Sequence, residues 1–305
     1  MYCFPRFLTI TVKLNATDPN HPVSLDAVNV PLSSLSSEDR VKVLSGMGTC
    51  VDSSQSFSAL FALAKLRPTM MRIISSNSVL PLIETKKLYV RESYTDLYKH
   101  IKQNLFQDNP LKNRLVITGT SGIGKSAFLL YLILQLFVES TSNSPIIIFH
   151  SEKWYAFGGT TALRVGNRED FEPFLRLPDA WYLADSPSEP LMEDVKARTL
   201  FSVSPNTFNS ENPYYKVLQK RGIPQYYMAP WDLEELQNCR EYAFPSLKAN
   251  IVESLYTKIG GVPRYVLEIA ANARKDNIEE AFQRIQEAID NTNDVSKLVL
   301  HYWKT

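Results

Sequence analysis

The chain of 305 residues contains only three cysteines, Cys3, Cys50 and Cys239, set far apart and with no C-x-x-C pair. Neither a disulfide framework nor a zinc site follows from such spacing, and a reducing compartment is the simple expectation. Charge of one sign is also missing. Lys and Arg total 33 against 32 for Asp and Glu, the net charge is +1, and no basic tract occurs. That balance gives no electrostatic reason to expect nucleic acid or a membrane as partner. The four histidines, His21, His100, His150 and His301, show no metal-ligand spacing. No G-x-S-x-G nucleophile elbow is present. The longest apolar run, KSAFLLYLILQLF, is too short to span a bilayer and reads as a buried helix. The N-terminal stretch MYCFPRFLTITVKL is broken by Pro5 and Arg6 and offers no small-residue cleavage site, so no conventional secretion signal is expected. A soluble, intracellular protein is the resulting expectation. Tyr and Phe are plentiful, at 15 each. Without a basic stripe beside them they read as core rather than as a platform for stacking bases.

What the chain does have is GTSGIGKS, residues 119–126, which fits the phosphate-loop pattern G-x-x-x-x-G-K-[ST]. The pattern has meaning only where a buried strand runs into the first glycine and a helix leaves the final Ser or Thr. RLVITG before it is a short apolar, β-branched run, and KSAFLLYLILQLF after it is free of Gly and Pro and rich in helix formers. Around this unit the sequence alternates. RESYTDLYKHIKQNLF places Leu97, Tyr98, Ile101 and Leu105 on one helical face. Strands are expected at IIIFHS, KWYAF, TALRV, AWYLADS, RTLFSVS and PQYYMAP. From Trp231 the pattern turns helical through DLEELQNCREYAF, LKANIVESLYTKIG, PRYVLEIAANARK and IEEAFQRIQEAI. The expected organisation is a mixed or partly ordered N-terminal region over 1–87, an α/β domain over 88–230 with the phosphate loop, and a helical lid over 231–305. In the first region, extended patterns at FLTITVKL and SVLPLI alternate with Ser-rich breaks.

The residue types of the loop suit phosphate. Gly119, Gly122 and Gly124 let the backbone N–H groups of Thr120, Ser121, Ile123 and their neighbours turn inward, and the start of a helix at Lys125, Ser126 and Ala127 adds its positive dipole end. Lys125 would reach the β- and γ-phosphates, and Ser126 the magnesium ion. A second acid to hold that ion is expected at the end of an apolar run on a neighbouring strand. Asp185, closing AWYLAD, fills that place. The position directly after it, where many such enzymes carry a glutamate that polarises water, is Ser186. Glu189, further along, is either a catalytic carboxylate reaching in or a solvated loop charge. Ser202, Ser204 and Asn206 end the next strand either as sensors of the γ-phosphate or as a Ser-Pro-Asn turn. Arg264, in GGVPRYVLE, either contacts the γ-phosphate from the lid or pairs with a surface acid. Arg168, Arg198 and Arg221 are eligible as arginine fingers, with surface roles as the plainer reading.

Six blocks, YVRESYTDLYKHI, GTSGIGKSAFLLYLI, WYLADSP, FSVSPN, MAPWDLEEL and GGVPRYVLE, together resemble the P-loop NTPase domain of the Crinkler proteins and of the retrotransposon hot-spot (RHS) proteins. They span roughly residues 88–270. The resemblance implies an AAA-like or STAND-like ATPase core that regulates or moves an attached effector. It puts Lys125 and Ser126 on phosphate and magnesium, Asp185 on magnesium, and Arg264 as lid sensor. It also implies delivery to a host cell or residence in a nucleus. Two features depart from the family pattern. LFALAK, Leu60 to Lys65, differs from the Leu-Phe-Leu-Ala-Lys header motif by an extra alanine and a late position. The chain ends at LVLHYWKT with no effector domain in view, so an effector or protein partner acting in trans is expected.

The sequence thus leads to an ATPase using ATP and Mg2+, with hydrolysis driving an effector. A second reading, from Ser186 and the missing effector, is a nucleotide-gated interaction protein with little turnover. A distant third is a magnesium nuclease built on Pro178-Asp179 and Asp194-Val195-Lys196.

Overall fold

A computed structural model describes residues 8–9, 29–105, 113–140, 145–187, 194–204, 220 and 222–272. Two compact units make up the chain: Met1–Gly119 with Lys125–Met228, and Thr120–Gly124 with Ala229–Thr305.

The first unit is a mixed α/β structure. Its strands in chain order are β1 (Leu8–Thr9), β2 (Asn29–Val30), β3 (Thr49–Cys50), β4 (Ile73–Ser75), β5 (Lys87–Tyr89), β6 (Arg114–Thr118), β7 (Ile146–His150), β8 (Trp154–Gly158), β9 (Ala162–Gly166), β10 (Trp181–Asp185), β11 (Arg198–Ser202) and β12 (Gln225–Tyr227). Eight of them form one sheet in the order β12-β6-β11-β10-β7-β8-β9-β3. The pairs from β12 to β7 are parallel, and those from β7 to β3 are antiparallel. Inside the parallel half β6, β7 and β10 are buried on both faces, so RLVIT, IIIFH and WYLAD read as continuous apolar runs rather than alternating ones.

Helices α1 (Ser37–Ser45), α2 (Ser56–Lys65), α3 (Glu92–Leu105), α4 (Lys125–Glu139) and α5 (Arg168–Leu175) cover this sheet. One face carries Val116, Ile148, Tyr182, Ala184 and Phe201, packed with Phe171 and Phe174 of α5 and with Leu44 of α1. The opposite face meets α4, which lies against β10 and β11. Helix α4 is apolar all round because it is enclosed all round: Phe128, Leu129, Leu132, Ile133 and Leu134 are fully buried. Tyr94 of α3 meets Phe128 edge-on at 5.4 Å between ring centroids, and Phe61 of α2 meets Phe137 at 6.4 Å. Each such buried side chain contributes roughly 1.5–3 kcal/mol. No helix among the described residues is long and apolar enough to cross a membrane.

The sequence pattern hides parts of this unit. Residues 29–87 supply two well-formed helices and the sheet's edge strand β3. SVLPLI is no strand: Pro81–Ile83 form a turn with Leu82 at φ 64°. REDFEPFL is helical despite Pro173, because Asp170 accepts the Asn167 N–H at 2.8 Å and closes its first turn.

The second unit holds α6 (Leu233–Ala243) and α7 (Ala249–Ile259), followed by a π-helix over Arg264–Ile269. The block WDLEEL is explained by helix entry. Asp232 caps α6, accepting the Glu235 N–H at 2.7 Å, and Glu234 and Glu235 occupy the first turn where the dipole favours acids. PRYVLEI, expected as ordinary helix, is wound as a π-helix, a form that concentrates at functional sites. The stretch IEEAFQRIQEAI lies outside the described residues.

Candidate functional site

Strand β6, buried from Leu115 to Thr118, delivers the chain to Gly119. Gly119, Gly122 and Gly124 adopt φ values of 141°, 79° and 103°. Side-chain-bearing residues rarely take such values, so the glycines of GTSGIGK are required by the backbone path and not merely tolerated. Space requires them too. A Cβ on Gly119 would stand 2.9 Å from the Met228 carbonyl oxygen, and one on Gly122 would stand 2.6 Å from Cβ of Arg264.

Helix α4 begins at Lys125, and its first turn holds no acid to compete for an anion. Lys125 is buried, and its ammonium donates to the Gly119 carbonyl at 2.7 Å. Ser126 and Ala127 follow on the first turn and are half-buried.

Asp185 ends β10 and is half-buried. Its strand is not the immediate neighbour of β6. Strand β11 lies between them, with Ser202 in register with Asp185 on one side and with Ile117 on the other. Pleat alternation therefore sets Asp185 and Ser202 on the sheet face opposite Tyr182, Ala184 and Phe201, the face that α4 covers. Ser202 is fully buried, and its hydroxyl has no hydrogen-bond partner among the described residues. Thr118, at the end of β6, is in the same condition. Buried hydroxyls are almost always bonded, so an unpartnered one beside a carboxylate calls for an explanation. Immediately after Asp185 the chain turns sharply. Ser186 takes φ 50° and donates its N–H to the Ser202 carbonyl at 2.7 Å, so β10 and β11 are tied together at their ends. Ser204 is half-buried beyond β11, while Glu189, Asn206 and Arg221 lie outside the described residues.

In the second unit, Arg264 donates to the Ser121 hydroxyl at 3.2 Å, and the Trp231 indole N–H donates to the Ile123 carbonyl at 2.9 Å. Thr120 and Ser121 are exposed, and Ile123 is buried. The Trp231 N–H donates to the Gly261 carbonyl at 2.8 Å, in an approach so close that any Cβ on Gly261 would overlap the Trp231 backbone. The doubled glycine of GGVPR thus serves a backbone contact that sequence reasoning missed, and Trp231 is the residue it overlooked. The signal was present as a lone tryptophan opening a polar helix.

The arginine-finger candidates stand elsewhere. Arg198 begins β11, at the opposite end of the strand from Ser202, with its guanidinium 5.8 Å from the Trp181 ring centroid, and Arg168 opens α5. The nuclease pattern also falls at that other end of the strands. Asp179 is paired with Arg40 at 2.7 Å, and Asp194 lies 4.0 Å from Arg176. Among the described residues no three His, Cys, Asp or Glu side chains gather as a metal cage. The groups at the α4 end of the sheet, the Ser126, Thr118 and Ser202 hydroxyls and the Asp185 carboxylate, are instead hard oxygen donors of the kind that holds magnesium together with phosphate oxygens and water.

The chain is similar to Crinkler effector proteins. Crinkler effector protein 15 and Crinkler effector protein 16 of Phytophthora infestans are each 30% identical to it over 194 residues. The match takes in 63% of this chain but only 30% of each relative. No family model matches the chain.

Proposed function

We propose that the chain is a P-loop NTPase of the Crinkler type, binding ATP with magnesium at residues Gly119–Ala127 and hydrolysing it. The observation that carries this reading is the glycine loop itself. A buried strand enters it, three glycines take left-handed or extended positive-φ conformations, and a buried lysine opens a long helix at its exit. Both the cradle that a Cβ would fill and the unpartnered Ser202 hydroxyl fit a phosphate and its cation.

On this reading the backbone N–H groups of the loop and the N-terminus of α4 bind the phosphates. Lys125 exchanges the Gly119 carbonyl for phosphate oxygen. The Ser126 hydroxyl and the Asp185 carboxylate hold magnesium, which when bound neutralises charge on the phosphates. Ser202, between the loop strand and the Asp185 strand, donates its free hydroxyl toward the terminal phosphate or the attacking water. Arg264 donates to the Ser121 hydroxyl and so adds positive charge beside Thr120–Gly124. The sheet order, with a polar-ended strand between loop and acid, supports the AAA-like or STAND-like form of the fold. ATP turnover by the purified chain, lost in Lys125→Ala and in Asp185→Ala, tests the proposal.

A second reading is favoured by one observation. The residue after Asp185 is Ser186, whose backbone is tied to Ser202, so no carboxylate stands at the usual water-polarising place. A nucleotide-gated interaction protein with slow or no turnover follows, acting on an effector or partner in trans. Binding of ATP without hydrolysis distinguishes it from the first.

A further inference from the structure

Residues 65–72, KLRPTMMR, run from the last residue of α2 to β4 and form an exposed basic and apolar segment that the phosphate site does not use. Leu66 and Met71 are 76% and 64% exposed, two of the three most exposed large apolar side chains among the described residues. A single exposed leucine is ordinary. Here both apolar residues stand beside an arginine, Leu66 next to Arg67 and Met71 next to Arg72, and the loop holds no acid. The Lys65 ammonium rests 5.3 Å from the Phe61 ring centroid. Arg67 and Arg72 are exposed and have no ion-pair partner among the described residues.

The loop is held in place rather than merely exposed. Arg67 takes φ 47°, at the helix-exit position where glycine is usual and a side chain costs roughly 1 kcal/mol. Its N–H donates to the Ala64 carbonyl at 3.0 Å and that of Leu66 to Leu63 at 3.1 Å, so the end of α2 is closed. A cation at a helix C-terminus complements the dipole. That accounts for a charge at Arg67, but not for the bare Leu66 before it or for the Met71–Arg72 pair beyond.

We infer that residues 65–72 dock an acidic, amphipathic segment of a partner protein. Its carboxylates meet Arg67 and Arg72, and its apolar side chains cover Leu66 and Met71. The composition of the loop selects this occupant. Interfacial belts on membrane proteins are rich in Trp and Tyr, and KLRPTMMR has no aromatic residue. A phosphate backbone has nothing to lay over Leu66 and Met71, and base stacking needs aromatic faces. An acidic segment with leucine or phenylalanine at its centre satisfies both halves of the surface, and methionine suits adaptable protein contacts.

The test is fluorescence polarisation of the full chain with a labelled helical peptide of Glu, Leu and Ala, set beside the same peptide with Lys for Glu. The acidic peptide should bind and the basic one should not. Binding should weaken about tenfold or more in Arg67→Glu/Arg72→Glu and in Leu66→Ser/Met71→Ser. All four positions are exposed, so Leu66→Ser/Met71→Ser should keep the wild-type melting temperature, and Arg67→Glu/Arg72→Glu, which reverses the charge at the end of α2, should lower it only slightly. Lys125→Ala should bind the peptide as the wild type does, which separates this surface from the nucleotide reading. No binding, or equal binding by wild type and variants, would overturn the inference. So would capture of phosphatidylserine vesicles or of duplex DNA in place of the peptide.

Discussion

Asp185 and Ser202 stand in register at the ends of adjacent parallel strands, and the Ser202 hydroxyl is fully buried with no hydrogen-bond partner among the described residues. A fold that keeps an unbonded buried hydroxyl gives up stability there, of the order of 1–3 kcal/mol. Ser202→Ala is therefore expected to leave thermal stability unchanged or raised by about 1 kcal/mol, and, on the proposed ATPase reading, to lower ATP turnover about tenfold or more. Denaturant unfolding set beside turnover checks both halves. A variant that loses stability and keeps its turnover would assign Ser202 to the core alone.

The loop glycines make a sharper structural prediction. Gly122→Ala meets both a φ of 79° and the Arg264 side chain, and should cost about 1–2 kcal/mol. Gly261→Ala meets the Trp231 backbone, which cannot swing aside, and should cost about 2–3 kcal/mol. Gly222→Ala is the control, since its φ of 58° is strained but no described residue lies within 4 Å of the added Cβ. Gly261 has no left-handed φ, so a Gly261→Ala cost no larger than that of Gly222→Ala would show that close approach to Trp231 does not set it.

Thiol chemistry separates two cysteines. Cys50 is exposed and Cys239 is buried. Burial pushes the Cys239 thiol up to about 12, with the Glu268 and Glu235 carboxylates acting in the same direction. Iodoacetamide at neutral pH should modify Cys50 readily and Cys239 only after unfolding, as peptide mass spectrometry will read. Comparable labelling of both in the native chain would contradict the burial of Cys239.

The same thiol gives a pH dependence. The folded value lies above the ordinary value of 9.0, so the unfolded chain loses this proton first. The contribution is complete below pH 9 and drains away as pH rises toward about 12. Thermal unfolding followed from pH 8 to pH 11, by circular dichroism, should therefore show a steeper loss of stability in wild type than in Cys239→Ala. Parallel curves would remove Cys239 as the cause.

Much of the parallel half-sheet was legible because strand burial and the loop punctuation act locally. RLVIT, IIIFH, WYLAD and RTLFS are apolar runs bounded by turn residues, and each forms the strand its composition suggests. The helices of residues 29–87 were not legible, since Ser-rich segments such as SSLSSED look like breaks until Ser36 is seen to cap α1, accepting the Asp39 N–H at 3.1 Å. Helix α5 was hidden by Pro173, and the π-winding at Arg264 has no pattern in sequence. At the candidate site, the places of Lys125 and Ser126 at the start of α4 and of Asp185 at the end of β10 followed from motif order. The place of Ser202 between loop and acid was not, because strand order is set by packing across the sheet rather than by chain order.

The most direct test of the nucleotide reading is a binding titration with ATP and magnesium run beside steady-state turnover, on the wild-type chain, Lys125→Ala and Asp185→Ala. Wild type should bind and hydrolyse ATP, Lys125→Ala should lose binding, and Asp185→Ala should lose about a hundredfold or more in turnover. Wild-type chain that neither binds nor hydrolyses ATP, or a Lys125→Ala variant that does both as well as wild type, would contradict it.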